Sequence, residues 1–127
     1  MHVFTDLLIH CNTSLHAPLP SLAGLITRAD LAIGAVGAST WERACLGLPS
    51  ISIPFANNQI PVSKVLARNG FIRLIEFNSK TFAAKLLDEV ILFFDSENIK
   101  NASLLSRSLA QGEGARICSD LLLHSLS

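Results

Sequence analysis

The stretch Gly34-Ala35-Val36-Gly37-Ala38-Ser39-Thr40-Trp41-Glu42 is the part of this sequence best suited to hold an anion. Its small residues let backbone amides approach a phosphate, and a helix beginning near Ser39 would aim its positive end at that group. The same residues have a purely local use. Ser39-x-x-Glu42 is a capping box, in which hydroxyl and carboxylate satisfy the amides of the helix's own first turn. Trp41, the single tryptophan, is expected to pack rather than to serve as a ligand platform. A second stretch, Pro54-Phe55-Ala56-Asn57-Asn58-Gln59, sets three carboxamides side by side. They offer donors and acceptors without charge, which suits sugar hydroxyls or phosphate oxygens. Alternatively, Asn57 or Asn58 caps the helix that follows.

The remaining reactive side chains form no recognisable constellation. His2, His10, His16 and His124 have no metal-ligand spacing and no paired nucleophile, so structural or surface roles are expected for them. Cys11, Cys45 and Cys118 are odd in number and widely spaced in apolar surroundings, which reads as reduced thiols rather than a disulfide framework. There is no P-loop, no GxSxG and no convincing acid pair, and Ser39 has no visible general base. Nothing calls for a metal or a cofactor.

The elements that must position the two loops follow from hydrophobic pattern and punctuation. Leu31-Ala32-Ile33, closed by Gly34, and Ser50-Ile51-Ser52-Ile53, closed by Pro54, read as short buried parallel strands. Between them Ser39 to Leu46 is helical and stops at Gly47, with Pro49 preventing continuation. Asn58 opens a second helix through Asn69, Gly70 ends it, and Phe71 to Ile75 forms the next strand. Upstream, the segment through Ile9 reads as a strand, Leu15 to Pro20 as a loop, and Ser21 to Arg28 as a short helix capped by Ser21. Downstream, Ser79 caps a helix to Phe94, Ser96 caps another to Gln111, and Gly112-Glu113-Gly114 precedes a last helix through Leu123. Alternating strands and helices give an α/β, Rossmann-like open parallel sheet with flanking helices. In such a sheet ligands bind outside the carboxyl ends of the strands, where both candidate loops fall.

Composition narrows the partners. The 127 residues are half apolar, 16% charged and balanced at ten basic to ten acidic, which fits one domain, residues 1–127, and excludes a disordered class. A neutral chain without a basic cluster gives no reason to expect nucleic acid as a partner. The N-terminus lacks a basic n-region, and Val90 to Phe94 is far too short for a membrane span. A soluble, cytoplasmic protein is expected.

Taken together, Ala29-Asp30-Leu31-Ala32-Ile33-Gly34-Ala35-Val36-Gly37-Ala38-Ser39-Thr40-Trp41-Glu42-Arg43, then Cys45-Leu46-Gly47-Leu48-Pro49, then Asn58-Gln59, closely resembles the pseudaminic acid biosynthesis hydrolase family. That family cleaves UDP-2,4-diacetamido-2,4,6-trideoxy-β-L-altropyranose to the free sugar and UDP. Spore-coat polysaccharide proteins and, more distantly, the glycosyltransferase that makes lipid II are its relatives. The resemblance covers Leu22 to Ile75, with Gln111 to Arg116 similar to the turn before the family's last helix. It implies the C-terminal, donor-binding half of a glycosyltransferase-B architecture, binding a UDP-sugar. By that resemblance Glu42 accepts hydrogen bonds from the ribose hydroxyls. The amides around Gly37, Ala38 and Ser39, in the turn that includes Thr40, hold the pyrophosphate, and Asn58 and Gln59 face phosphate or sugar. Val36 stands where the family has glycine, so its branched side chain is expected to restrict approach to the ligand.

The family's other half, with its glycine-rich loop and water-activating histidine, has no counterpart in this sequence. The chain alone is therefore expected to bind UDP weakly and to turn over little. It would act with a separate N-terminal-half protein or as a homodimer. The alternatives are the donor-binding subunit of a split glycosyltransferase and a non-catalytic remnant that serves as an interaction module.

Overall fold

The structure, a computed structural model, describes residues 12–78 and 80–126; the strand expected before Ile9 lies outside them. Three parallel strands, β1 (Ala32–Ala35), β2 (Ser50–Ile53) and β3 (Arg73–Leu74), form one sheet in that order. Ala32 pairs with Ser50 and Ala35 with Ile53, while Ile51 pairs with Arg73 and Ser52 with Leu74. All four residues of the central strand are buried, and Ile51 and Ser52 are fully so. Burial on both faces explains why Ser50 to Ile53 reads as a continuous run closed by proline rather than as a strand with a solvated face.

Among the described residues the helices are α1 (Ala23–Ile26), α2 (Ala38–Cys45), α3 (Ile60–Arg68), α4 (Phe82–Leu92), α5 (Ser96–Leu109) and α6 (Gly114–Ser125). Their ends follow the expected punctuation. Gly47 and Gly70 take positive φ, +73° and +76°, as the residues that end α2 and α3. Ser21 Oγ accepts from the Ala23 amide at 3.2 Å at the start of α1.

Several boundaries differ from the pattern-based expectation. Strand β1 continues through Gly34 to Ala35; a Cβ on Gly34 would come into ordinary contact with Arg43 Nη1, at 3.4 Å, so the guanidinium packs against this part of the strand. β3 is shorter than Phe71 to Ile75, because the Phe71 amide is used by the Leu66 carbonyl at the end of α3. The Ile75 amide still donates to Ser52 O at 3.0 Å, one residue beyond the strand. Asn58 does not open α3. It sits in a 3-10 turn, Asn57–Gln59, and Ile60-Pro61 begins the helix proper. Ser79 lies outside the described residues. Asn78 Oδ1 accepts from the Lys80 and Thr81 amides ahead of α4, and Asp95, not Ser96, caps α5 by accepting from Glu97 N. Carboxylate and carboxamide oxygens serve as well as hydroxyls there. The last helix extends two residues past Leu123 to Ser125.

Two apolar clusters make the core. Val36, Leu66 and Ile72 form one, against Ala67, Phe71 and Leu109. Ile51, Ile75 and Phe93 form the other, against residues of α4 and α5 that include Leu86, Val90 and Ile99. Helix α5 also lies along α2, where Ser103 Oγ donates to the Gly47 carbonyl at 2.6 Å. Helix α6 buries none of its residues and leaves Leu121, Leu122 and Leu123 exposed. Among the described residues no helix is long and apolar enough to cross a membrane.

Candidate functional site

Parallel pairing places the carboxyl ends of all three strands on one edge of the sheet. The β1–α2 loop at Val36-Gly37, the Pro54–Ala56 loop and the Ile75–Asn78 segment therefore emerge together. The second and third are joined through aromatic rings: Phe55 and Phe77 lie 6.3 Å apart between centroids, and Phe77 and Phe82 5.0 Å.

The start of α2 departs from the expected capping box. Its N-cap is Gly37, which has no side chain to offer. The Thr40 hydroxyl instead accepts from the Gly37 amide at 3.1 Å while the Thr40 amide donates to Gly37 O at 2.9 Å. Ser39 is already inside the helix, two residues past the cap, and its Oγ accepts from Arg43 Nη1 at 3.2 Å. Glu42 takes no part in the cap. No side chain caps the first-turn amides of Ala38 and Ser39, which leaves them facing the end of the helix where an anion is favoured. A Cβ on Gly37 would meet nothing within 4 Å, so the approach to this turn is open. Val36 does not obstruct it, because its side chain is buried against Leu66 and Ile72.

Beneath the loop lies Arg43, 8% exposed. Its guanidinium donates to Ser39 Oγ, to Ala35 O at 3.1 Å and to Thr40 Oγ1 at 3.3 Å. Nε is buried without a partner. Burial pushes the guanidinium below its ordinary pKa, partly offset by the neighbouring Glu42 carboxylate. Sequence reasoning placed Arg43 in the motif without giving it a task. The signals were there: it is four residues from Ser39 and three from Thr40, on one helical face, opposite a glycine in β1.

Glu42 is exposed, four residues after Ala38, and lines a cleft of about 1080 Å³, ample for a nucleotide-sized ligand. Trp41 and Cys45 of α2, Leu22, and Gln111 and Glu113 of the α5–α6 turn line it as well. Trp41 is 45% exposed there rather than packed away. Gly112 has φ +75°, and a Cβ on it would lie 3.0 Å from Cys45 Sγ, so the turn sits directly on α2.

Thus Gly37, Ala38, Ser39, Thr40 and Glu42 occupy successive turns of one element. Of the expected site residues only Glu42 lines the large cleft; Gly37, Ala38, Ser39 and Thr40 do not, nor do Asn58 and Gln59 at the sheet edge, and Ser39 lines with Arg43 a separate small cavity between α1 and α2. Neither Asn57 nor Asn58 provides a side-chain cap. Gln59 Oε1 accepts from the Phe55 amide at 3.0 Å, pinning its own loop, and Asn58 stands exposed.

No family model matches this sequence. Over 115 residues, 85% of the chain, it is 31% identical to a UDP-N-acetylglucosamine--N-acetylmuramyl-(pentapeptide) pyrophosphoryl-undecaprenol N-acetylglucosamine transferase of Gloeobacter violaceus. The chain spans 32% of that relative's length. The similarity is thus to part of an enzyme that, by its name, transfers a sugar from a UDP-sugar, rather than to a hydrolase.

Proposed function

We propose that this chain is a UDP-sugar-binding domain, the donor half of a glycosyltransferase-B type enzyme in surface-polysaccharide or cell-wall synthesis. The observation that carries the reading is the placement of Glu42 in the large cleft, one turn along the helix whose first amides no side chain caps. A diphosphate fits the helix start, and a carboxylate one turn along can accept from both hydroxyls of a ribose. Residues 1–127 act as one such domain, with Gly37, Ala38, Ser39 and Thr40 at the pyrophosphate, Glu42 at the ribose, and Asn58 and Gln59 toward the sugar.

Transfer is the reaction favoured by the transferase relative; hydrolysis of the UDP–sugar linkage, as in pseudaminic acid synthesis, is favoured by the Thr40-Trp41-Glu42-Arg43 run with Leu46-Gly47-Leu48-Pro49. Either reaction takes its acceptor or its activated water from a second half, and the exposed leucines of α6 are the surface available to meet it.

Calorimetric titration with UDP tests the donor reading. Glu42→Ala is expected to weaken UDP binding by about 1.5–3 kcal/mol, the range for hydrogen bonds to a charged group. No binding by the unaltered chain at millimolar UDP would overturn it. Acceptor-dependent release of UDP separates transfer from hydrolysis.

A further inference from the structure

Arg43 buries a positive charge that no carboxylate contacts; the exposed Glu42 carboxylate next to it in sequence acts on it only at longer range. Among the described residues no carboxylate lies within ion-pair distance, and the groups it does reach, Ser39 Oγ, Thr40 Oγ1 and Ala35 O, are neutral oxygens. A buried, unpaired cation costs several kcal/mol of desolvation unless something offsets it. Here the offset inside the chain is incomplete, since Nε has no partner at all.

The direction of these hydrogen bonds matters. A hydroxyl carries one hydrogen and two lone pairs. Both lone pairs of Thr40 Oγ1 are taken, one by the Gly37 amide and one by Arg43 Nη2. One of Ser39's is taken by Arg43 Nη1. The guanidinium, which can only donate, thus holds both hydroxyls as acceptors and leaves their hydrogens for another acceptor, and among the described residues neither hydroxyl donates to any group. The Thr40 hydroxyl is buried, so a hydrogen without an acceptor there is itself costly.

We propose that Arg43 is a positioning residue for the diphosphate: it sets the Ser39 and Thr40 hydroxyls to donate toward an anion at the start of α2, and the anion's charge balances its own. This rests on the donor-site reading and adds to it a buried cation that acts on the ligand through the two hydroxyls rather than by touching it. The ligand's phosphates, not its base or sugar, are what Arg43 selects. A uridine without phosphates gains nothing from it.

The test compares the full-length chain with Arg43→Met, Arg43→Lys and Ser39→Ala by titration with UDP, uridine and inorganic pyrophosphate, alongside the rise in Tm that pyrophosphate causes. Arg43→Met is expected to lose about tenfold or more in UDP affinity, with uridine affinity unchanged, a flatter salt dependence and no pyrophosphate-induced rise in Tm. Arg43→Lys keeps the charge without the planar fork and is expected to fall between. Ser39→Ala, at a half-buried position, keeps the fold if Arg43→Met does not, and is expected to narrow the preference for UDP over uridine. An unchanged UDP-to-uridine ratio in the folded variants, with unaltered UDP binding in the parent chain, overturns this proposal alone. A parent chain that binds neither UDP nor pyrophosphate overturns it together with the donor-site reading.

Discussion

Ser103 and Gly47 are joined across 56 residues of chain by a 2.6 Å hydrogen bond from hydroxyl to carbonyl. The bond fastens the end of α2, and with it the helix that carries Glu42, to α5. Gly47 suits this seam for two reasons. It holds φ +73°, and a Cβ there would run into the Arg107 side chain at Nε.

Gly47→Ala is therefore expected to cost about 1–2 kcal/mol from the left-handed backbone alone, with the flexible Arg107 side chain displaced. Ser103→Ala removes the bond but not the packing, and is expected to cost about 1 kcal/mol. Urea unfolding of both variants checks the order, Gly47→Ala being the less stable.

Thr40→Val keeps the shape of a buried side chain and deletes its oxygen. The Gly37 amide and one Arg43 nitrogen then lose their acceptor, which is expected to lower stability by about 1–3 kcal/mol. A midpoint in denaturant within error of the parent's would show that the hydroxyl holds nothing.

A side chain at Gly37 has open space around it, so Gly37→Ala is expected to cost at most about 1 kcal/mol, the difference between these residues at an N-cap. It should nonetheless obstruct the approach to the uncapped amides. Loss of pyrophosphate binding with a nearly unchanged Tm is the expected pair of results.

Gly112→Ala meets both a positive φ of 75° and Cys45 Sγ. The turn is expected to lift from α2 and expose that thiol. In a background with Cys11 and Cys118 replaced by serine, Cys45 should react faster with a thiol reagent, and a rate equal to the parent's would mean that the turn has not moved.

The parts of the fold legible in the sequence were those governed by local rules. Ser50 to Ile53, bounded by Pro49 and Pro54, forms the expected strand to the residue, and glycines 47 and 70 end their helices where a left-handed residue is needed. What escaped was decided by partners distant in sequence or by competition among neighbours. Phe71 reads as a strand residue, yet its amide is claimed by the preceding helix. Ser39 and Glu42 have capping-box spacing, but Gly37 begins the helix two residues earlier and Thr40 takes the hydroxyl's part. Of the candidate site, the two loops do emerge at the carboxyl edge of the sheet that the alternating pattern implies, and Glu42 lies in a cleft. The burial of Arg43 against the Ala35 carbonyl and the exposure of Trp41 on the cleft wall follow from how α2 sits against β1 and α5, which local pattern does not write.

The long-range tie between Gly47 and Ser103 also bears on the order in which the chain assembles. Neighbouring strands pair across short crossovers, Ala32 with Ser50 and Ile51 with Arg73, whereas the α2–α5 seam must close a loop of 56 residues. Loop-closure entropy makes the later contact more costly by about 1 kcal/mol, so the sheet with α2 and α3 is expected to form first, with α5 docking onto it afterwards. Amides of β2 should then exchange with solvent only on global unfolding, while those of α5 open in a smaller, earlier step, carrying the cleft's far wall away with them.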